Sequence, residues 1–263
     1  VGWRMELVVR HGQADPPRGP LLAAHQPGRQ AARYLQILAH LEELHLLLVL
    51  RPVRWVARPC RNAHMAVAAG ITMMPCRLHE ENGRAHFMTR RFDRTPEGRK
   101  LHMQSLGSMM HYDFNQPTAY SYEQAIQACL RLDLPMEDRE QQFRRAVFNV
   151  LARNQDDHVK NIAFLMNRKG TWRLSPAFDV TYAYNPTGDW TGKHQMSING
   201  KRDHFDTADL IALAAIAGIK KRKAVAIKLE IEDALAQWPK FADNADIAPG
   251  LQAQIQKAFR RLS

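Results

Sequence analysis

The chain has 263 residues, which is enough for one large domain or for two lobes around a substantial core. Its formal net charge of +11 favours polyanionic partners such as ATP, tRNA-bound proteins or DNA, and serves solubility equally well. The three cysteines are scattered, which argues against a disulfide framework or a structural zinc site. No apolar run reaches membrane-spanning length and no signal peptide is evident, so we expect a cytoplasmic protein without membrane contact.

Residues 1–60 differ in composition from the rest of the chain. They hold eight arginines, four acidic residues and no lysine. Within them, Glu6–Ala14 resembles the start of a histidine phosphatase, in which His11 would be the nucleophile. That chemistry needs a second histidine, further arginines and a general acid set in an α/β domain. A histidine phosphatase is a remote alternative, since so short a match also arises by chance.

The pattern becomes regular after residue 60. Ala63–Ala69 predicts a short helix that ends at Gly70, a usual C-terminal stop. Thr72–His79 and Arg84–Phe92 predict two strands joined by an Asn-Gly turn, which favours a tight hairpin. These segments make up a small unit, residues 61–100, before the chain becomes mainly helical.

A helix, a polar loop and a hairpin follow one another in the second half of the chain. Arg139–Arg153 carries apolar residues at three- and four-residue spacing, which is typical of an amphipathic helix. The polar run Asn154–Asn161 comes next, and two apolar segments then flank Asn167–Gly170, which predicts a β-hairpin. Folding the hairpin brings its second arm, and Asp179 just beyond it, back beside Asn161.

Phosphoryl transfer requires a set of side chains like this one. One carboxylate orients the attacking hydroxyl, while an amide oxygen and a second carboxylate hold magnesium against the phosphates. In protein kinases four residues separate the base from the metal-binding asparagine, and Asp156 and Asn161 keep that interval. Asp179 takes the place of the second metal ligand, and His158 and Lys160 are candidates for contact with phosphate. A solvated polar loop is the alternative that the spacing alone leaves open.

The wider sequence resembles the HipA family of bacterial serine/threonine kinase toxins. The resemblance covers about residues 61–240. It rests on the segments Arg145–Asn161, Trp172–Asp179, His86–Arg94, Leu101–Leu106, Ser121–Glu123, Thr181–Asn185 and Ser197–Lys201. By this resemblance Asp156 is the catalytic base, and Asn161 and Asp179 are the magnesium ligands.

The resemblance implies an α+β, kinase-like fold with two lobes. A large, mostly helical C-lobe, residues 101–263, would hold the catalytic loop and the β-hairpin. Residues 61–100 would form an incomplete small N-lobe, preceded by the unmatched segment 1–60. The connection between the lobes would carry the adenine contacts, with Met103 and Leu106 packing on the base.

The implied activity is transfer of the γ-phosphate of ATP, with Mg²⁺, to a serine or threonine of a protein. By resemblance, the substrate would be a protein such as an aminoacyl-tRNA synthetase. The expected partner is a HipB-like helix-turn-helix antitoxin in a type II toxin–antitoxin system. DNA would then be contacted only indirectly, through that antitoxin.

The sequence departs from a working kinase in its first hundred residues. A kinase holds the ATP phosphates with an N-lobe lysine that is braced by a helix glutamate. The first lysine here is Lys100, no acid lies between Glu43 and Glu80, and no glycine-rich loop is present. We therefore expect weak or lost activity from this chain. One hypothesis is that residues 1–60 are read out of frame; another is that the chain is an inactive, kinase-shaped module that docks an antitoxin.

Overall fold

The computed structural model describes residues 46–49, 63–81, 84–116, 118–244 and 247–263. Both strands and helices occur there, which confirms the predicted α+β class. The strands form two three-stranded antiparallel sheets, and most of the helices contribute to one large apolar core. Over these residues no helix combines the length and the apolar character that crossing a bilayer requires.

The first sheet has the strand order β1–β3–β2. It consists of Leu46–Val49 (β1), Cys76–Glu81 (β2) and Arg84–Arg90 (β3). Strands β2 and β3 confirm the predicted hairpin, and β1 pairs with the other edge of β3, with Leu48 opposite Met88. The sequence placed β1 in an unmatched segment, yet its backbone extends the small sheet. The rest of that segment, including the phosphatase-like stretch, lies outside the described residues.

The second sheet contains the β-hairpin predicted around Asn167–Gly170. Its strands are His102–Ser105 (β4), Ala163–Met166 (β5) and Trp172–Leu174 (β6), in the order β4–β5–β6. The side chain of Asn167 shapes the hairpin turn, since its Oδ1 accepts two backbone N–H groups at 2.8 and 3.0 Å. The stretch Leu101–Leu106, predicted to connect the lobes, therefore contains an edge strand of the hairpin's sheet.

Helices are the main regular structure of the large unit, residues 101–263. After a first helix (α1, residues 63–68) they are Leu106–Met110 (α2), Tyr122–Arg131 (α3), Met136–Leu151 (α4), Thr207–Ile216 (α5), Lys221–Ala236 (α6), Trp238–Asp243 (α7) and Pro249–Ala258 (α8). A 3-10 turn, Val159–Asn161, lies between α4 and β5. The sequence of Lys223–Trp238 predicts one helix that Pro239 ends. The structure ends α6 earlier and starts α7 at Trp238, because Pro239 fits the first turn of a helix but not its interior.

Helix α4 runs through the large core. The residues predicted for its apolar face are all fully buried: Phe143, Ala146, Val147, Val150 and Leu151. The helix packs against α3, α5 and α6. Full burial of a valine, leucine or phenylalanine side chain contributes about 1.5–3 kcal/mol each, so this face fixes α4 firmly in the unit.

Helix α1 contributes to this core. Its Met65 side chain is fully buried, and the chain then turns at Gly70, with φ of 75°. Gln141 of α4 holds the turn, since it donates to the Gly70 carbonyl at 2.8 Å and accepts from the Thr72 N–H at 2.9 Å. Residues on both sides of the predicted boundary between 61–100 and 101–263 therefore contribute to one core, and the division into units stays a prediction. Local sequence gave no sign of these contacts with α4.

One carboxylate joins the first turn of α4 to the hairpin. Asp138 is buried, and its oxygens accept from the Arg173 guanidinium at 2.7 and 2.9 Å. The same carboxylate accepts from the Leu174 N–H at 2.9 Å. A buried N–H needs an acceptor, so Asp138 fixes the position of β6 on α4. The segment that carries Asp179 continues from β6.

We predict that Asp138→Ala lowers the free energy of unfolding by about 1–3 kcal/mol, because it leaves the buried Leu174 N–H without its acceptor. Chemical denaturation measures the difference. Glu137→Ala is the matched control, since it removes an exposed carboxylate from the same turn and should change stability by less than about 0.5 kcal/mol. Equal losses in the two variants would contradict the role given to Asp138.

Candidate active site

Hydrogen bonds between Asn149 and Asn154 fix the point at which the polar loop leaves α4. Arg153 has φ of 58°, the left-handed conformation that often ends a helix. The Asn154 N–H then donates to the Asn149 carbonyl at 3.0 Å, and Asn154 Nδ2 donates to Asn149 Oδ1 at 3.0 Å. The loop that follows therefore leaves α4 in a defined direction.

A hydrogen bond within the loop joins Asp156 to Asn161. Asn161 Nδ2 donates to the backbone carbonyl of Asp156 at 2.9 Å. Because the amide nitrogen is used in this way, Asn161 Oδ1 is the atom of this side chain that remains for a ligand. The carboxylate of Asp156 is 39% exposed, so a substrate can reach it.

Asn161 and Asp179 line the same cleft. Asp179 is exposed and has φ of 54°, a conformation that aspartate adopts more readily than most residues. Polar side chains from α4 and the loop line the same cleft: Gln142, Arg145, Asn149, Asn154, Asp157 and His158. The structure thus brings together the two residues that the sequence assigned to a metal.

Contacts from two sides hold the segment before Asp179. Arg145 of α4 is buried and donates through Nη2 to the Ser175 carbonyl at 2.6 Å. Burial lowers the pKa of Arg145 to about 10, so the guanidinium stays charged at neutral pH. On the other side, the Ala177 N–H donates to the Thr72 carbonyl at 2.8 Å. The position of Asp179 therefore depends on α4 and on the chain that follows α1.

His158 and Lys160 have different surroundings. His158 is buried, and its Nε2 lies 3.7 Å from Asp156 Oδ1. The Lys160 ammonium lies over the Phe114 ring, 3.2 Å from its centroid, in a cation–π contact. His158 therefore lies beside Asp156, the predicted base, whereas the Lys160 ammonium contacts the Phe114 ring.

The two predicted adenine contacts also differ. Met103 is 43% exposed on the edge strand β4. Leu106 is fully buried, and its N–H donates to the Ile162 carbonyl at 2.8 Å. Neither lines the cleft that contains Asn161 and Asp179. A direct contact of the Leu106 side chain with a base does not agree with its burial, since this leucine is part of the core.

Asp157 is the centre of a buried network that the sequence did not reveal. Its carboxylate lies 2.7 Å from His194 Nδ1 and accepts from the Tyr122 hydroxyl at 2.7 Å and the Gln195 N–H at 2.8 Å. Burial alone would raise the pKa of the Asp157 carboxyl, but His194, Tyr122 and the Gln195 amide outweigh it and keep the pKa below its usual range. Burial, and then Asp157, raise the pKa of Tyr122 well above its usual value, so its hydroxyl remains a donor. Asn149 Nδ2 donates to the same hydroxyl at 2.9 Å.

A family model described as HipA-like C-terminal domain matches residues 61–238. The chain belongs to this family. The match confirms the resemblance expected from the sequence, which covered about residues 61–240. It also covers the whole candidate site, from α3 to the Gln195 contact.

Three known proteins are similar to this chain in sequence or in structure. The candidate kinase Y4dM of Sinorhizobium fredii is 27% identical over 181 residues, which cover 68% of this chain and 44% of Y4dM. A HipA structure from Shewanella oneidensis MR-1, solved with HipB and operator DNA, matches with a TM-score of 0.67 at 14% identity, over 81% of this chain and 55% of HipA. The proinflammatory kinase CtkA of Helicobacter pylori matches with a TM-score of 0.54 at 11% identity, over 81% of this chain and 84% of CtkA. The chain thus spans less than half of Y4dM, and the structural matches confirm the kinase-like fold.

We predict that Asp157→Asn lowers the free energy of unfolding at pH 7 by at least about 2 kcal/mol, because the amide replaces an acceptor oxygen with a donor group. The folded pKa of Asp157 lies below the unfolded value. The ionised carboxylate therefore stabilises the fold above about pH 4, and this contribution is lost as the pH falls further. The stability difference between variant and wild type should shrink accordingly in urea denaturation at decreasing pH.

Asp156→Asn is the matched control for this prediction. It makes the same chemical change at the neighbouring residue, whose carboxylate is partly exposed. Its effect on stability should stay within about 0.5 kcal/mol of wild type. A loss at Asp157→Asn no larger than at Asp156→Asn would show that the network does not stabilise the fold.

Proposed function

We propose that the large unit of this chain performs the phosphoryl transfer of a HipA-like kinase. The reaction moves the γ-phosphoryl group of ATP to a serine or threonine hydroxyl of a protein. The observation that carries the proposal is the hydrogen bond from Asn161 to the Asp156 carbonyl, in a loop that borders the cleft shared with Asp179. Relatives that are named as kinases support the same class of nucleotide chemistry.

Asn161 and Asp179 fit a magnesium ion by the chemistry of their available atoms. An amide oxygen and a carboxylate are hard donors, and Mg²⁺ commonly takes only one or two protein carboxylates together with phosphate oxygens. Within the described ranges no group of three or more His, Cys, Asp or Glu side chains is arranged to hold a metal. With two protein ligands, phosphate oxygens and water would supply the remaining positions around the ion. Bound magnesium would neutralise charge on the phosphates.

Asp156 is the residue proposed to orient the attacking hydroxyl and to accept its proton. The hydroxyl oxygen forms a bond to the γ-phosphorus while the bond from that phosphorus to the ADP oxygen breaks, and the hydroxyl proton passes to Asp156. His158 lies beside this carboxylate and lines the cleft, and it is the residue proposed to contact phosphate. Lys160 is left out of the proposed set because its ammonium is engaged by Phe114.

A second candidate function is docking of a helix-turn-helix antitoxin. The HipA structure that this fold resembles was solved with HipB and operator DNA, which favours a partner of the same type. DNA would then be contacted through the partner, and an aminoacyl-tRNA synthetase would be a substrate only by analogy with the family. The two functions are separable, since Asp156→Asn, made in a chain that carries a family N-lobe in place of residues 1–60, should abolish phosphoryl transfer and leave docking intact.

We predict that Asp179→Asn weakens binding of Mn²⁺, used as a spectroscopic probe for Mg²⁺, by at least about tenfold. Asparagine tolerates the left-handed conformation of this position, so the change removes charge without adding backbone strain. An electron paramagnetic resonance titration with a non-hydrolysable ATP analogue present measures the affinity. Asp189→Asn, the same change at an exposed position ten residues further on, should leave it unchanged. Equal affinities in the Asp179 variant and wild type would remove the metal assignment.

For this 263-residue chain alone we predict feeble or undetectable autophosphorylation with labelled ATP. Its first lysine is Lys100, and groups that stabilise charge at such sites are commonly worth on the order of 10²–10³ in rate each. A chimera in which a family N-lobe with the phosphate-binding lysine replaces residues 1–60 should recover transfer. Asp156→Asn in that chimera should abolish it again. Robust transfer by the unmodified chain would show that an arginine does the work of the lysine.

A further inference from the structure

The last residues of the chain, 259–263, lie against the C-terminal end of α4. The Arg260 N–H donates to the Leu151 carbonyl at 2.9 Å, and its guanidinium Nη1 donates to the Val150 carbonyl at 3.2 Å. The final carbonyls of a helix have no partner inside the helix, and a cation beside them is favourable. The Ser263 carbonyl in turn accepts from the Thr207 N–H at 3.2 Å. The tail is therefore held along its length.

The Arg260 guanidinium also reaches the buried network around Asp157. Nη1 lies 2.7 Å from His194 Nε2, Nη2 contacts the Asp203 carboxylate, and the group lies over the Phe205 ring at 5.3 Å. Burial lowers the pKa of Arg260 to about 10, so the guanidinium is charged at neutral pH. A guanidinium offers only donors, and His194 Nε2 must therefore accept this hydrogen bond.

The role of Nε2 as an acceptor decides which form of His194 is present. A neutral histidine carries a single ring proton, so that proton is on Nδ1, and Nδ1 donates it to Asp157 at 2.7 Å. If Nε2 carried a proton, the N–H groups of His194 Nε2 and Arg260 Nη1 would face each other without an acceptor. We propose that Arg260 is a positioning residue, which fixes His194 in the form that donates to Asp157 and so holds the loop carrying Asp156 and Asn161.

Arg260 lies beyond residues 61–238, so the family match assigns it no role. Any effect of Arg260 on turnover rests on the proposed kinase function. Its effect on His194 and on the loop does not, because both can be observed without nucleotide or metal. The proposal can therefore fail or hold independently of the kinase assignment.

Nitrogen-15 NMR of the labelled protein at pH 7 tests the proposal. The signals of His194, assigned by comparison with His194→Gln, should show a protonated Nδ1 and an unprotonated Nε2 in the wild type. Arg260→Ala should shift both ring nitrogens, because Nε2 loses its donor. It should also shift the Asn161 side-chain amide, which reports the bond to Asp156. Arg261→Ala, an exposed neighbour with the same loss of charge, should leave all of these signals in place.

An unchanged His194 spectrum in folded Arg260→Ala would overturn the proposal. A change at His194 without one at the Asn161 amide would overturn the positioning role. If Arg260→Ala does not fold, Arg260→Lys carries the same test, since it keeps a cation near α4 but cannot contact Val150, His194 and Asp203 together. In that variant both sets of signals must again move, and a shift in neither or in only one would overturn the proposal. Failure of the kinase proposal would appear separately, as absence of Mn²⁺ binding by the wild type in the presence of a non-hydrolysable ATP analogue.

Discussion

The buried carboxylate of Asp157 is the group on which the rest of the candidate site depends. An ionised carboxylate away from water is costly unless donors surround it. Here the donors are Tyr122 of α3 and the segment at His194 and Gln195, two parts of the chain that are far apart in sequence. The loop can therefore take this conformation only when those parts are in place. Its geometry is a property of the assembled large unit.

Helix α4 supplies the other half of this arrangement. Along its length Asp138 holds the hairpin, Arg145 holds the segment before Asp179, and Asn149 holds the start of the loop. One rigid helix thus sets the mutual positions of three elements that contribute to the same cleft. This explains how Asn161 and Asp179, on either side of a hairpin, come to share it. A change in α4 packing would alter all three elements together.

The parts of the structure that follow from local pattern could be predicted from the sequence. Helix α4 and the hairpin after it depend on apolar spacing and on turn residues, and the presence of Asp179 in the same cleft as Asn161 follows from the hairpin. The partners of Asp157 lie 35 to 38 residues away in sequence, and no local pattern reports such contacts. The same limit applies to Lys160. The sequence showed that a lysine here is suited to contact phosphate, but it did not show that the ammonium contacts the Phe114 ring.

The proposed kinase function requires that the loop after α4 and the segment ending at Asp179 form one metal–nucleotide site. A crystal structure with Mn²⁺ and a non-hydrolysable ATP analogue tests it most directly, because manganese can be located by its anomalous scattering. We expect a manganese peak bound by Asn161 Oδ1 and the Asp179 carboxylate, with the γ-phosphate facing Asp156. A nucleotide-bound structure in which manganese lies elsewhere, or contacts neither residue, would contradict it.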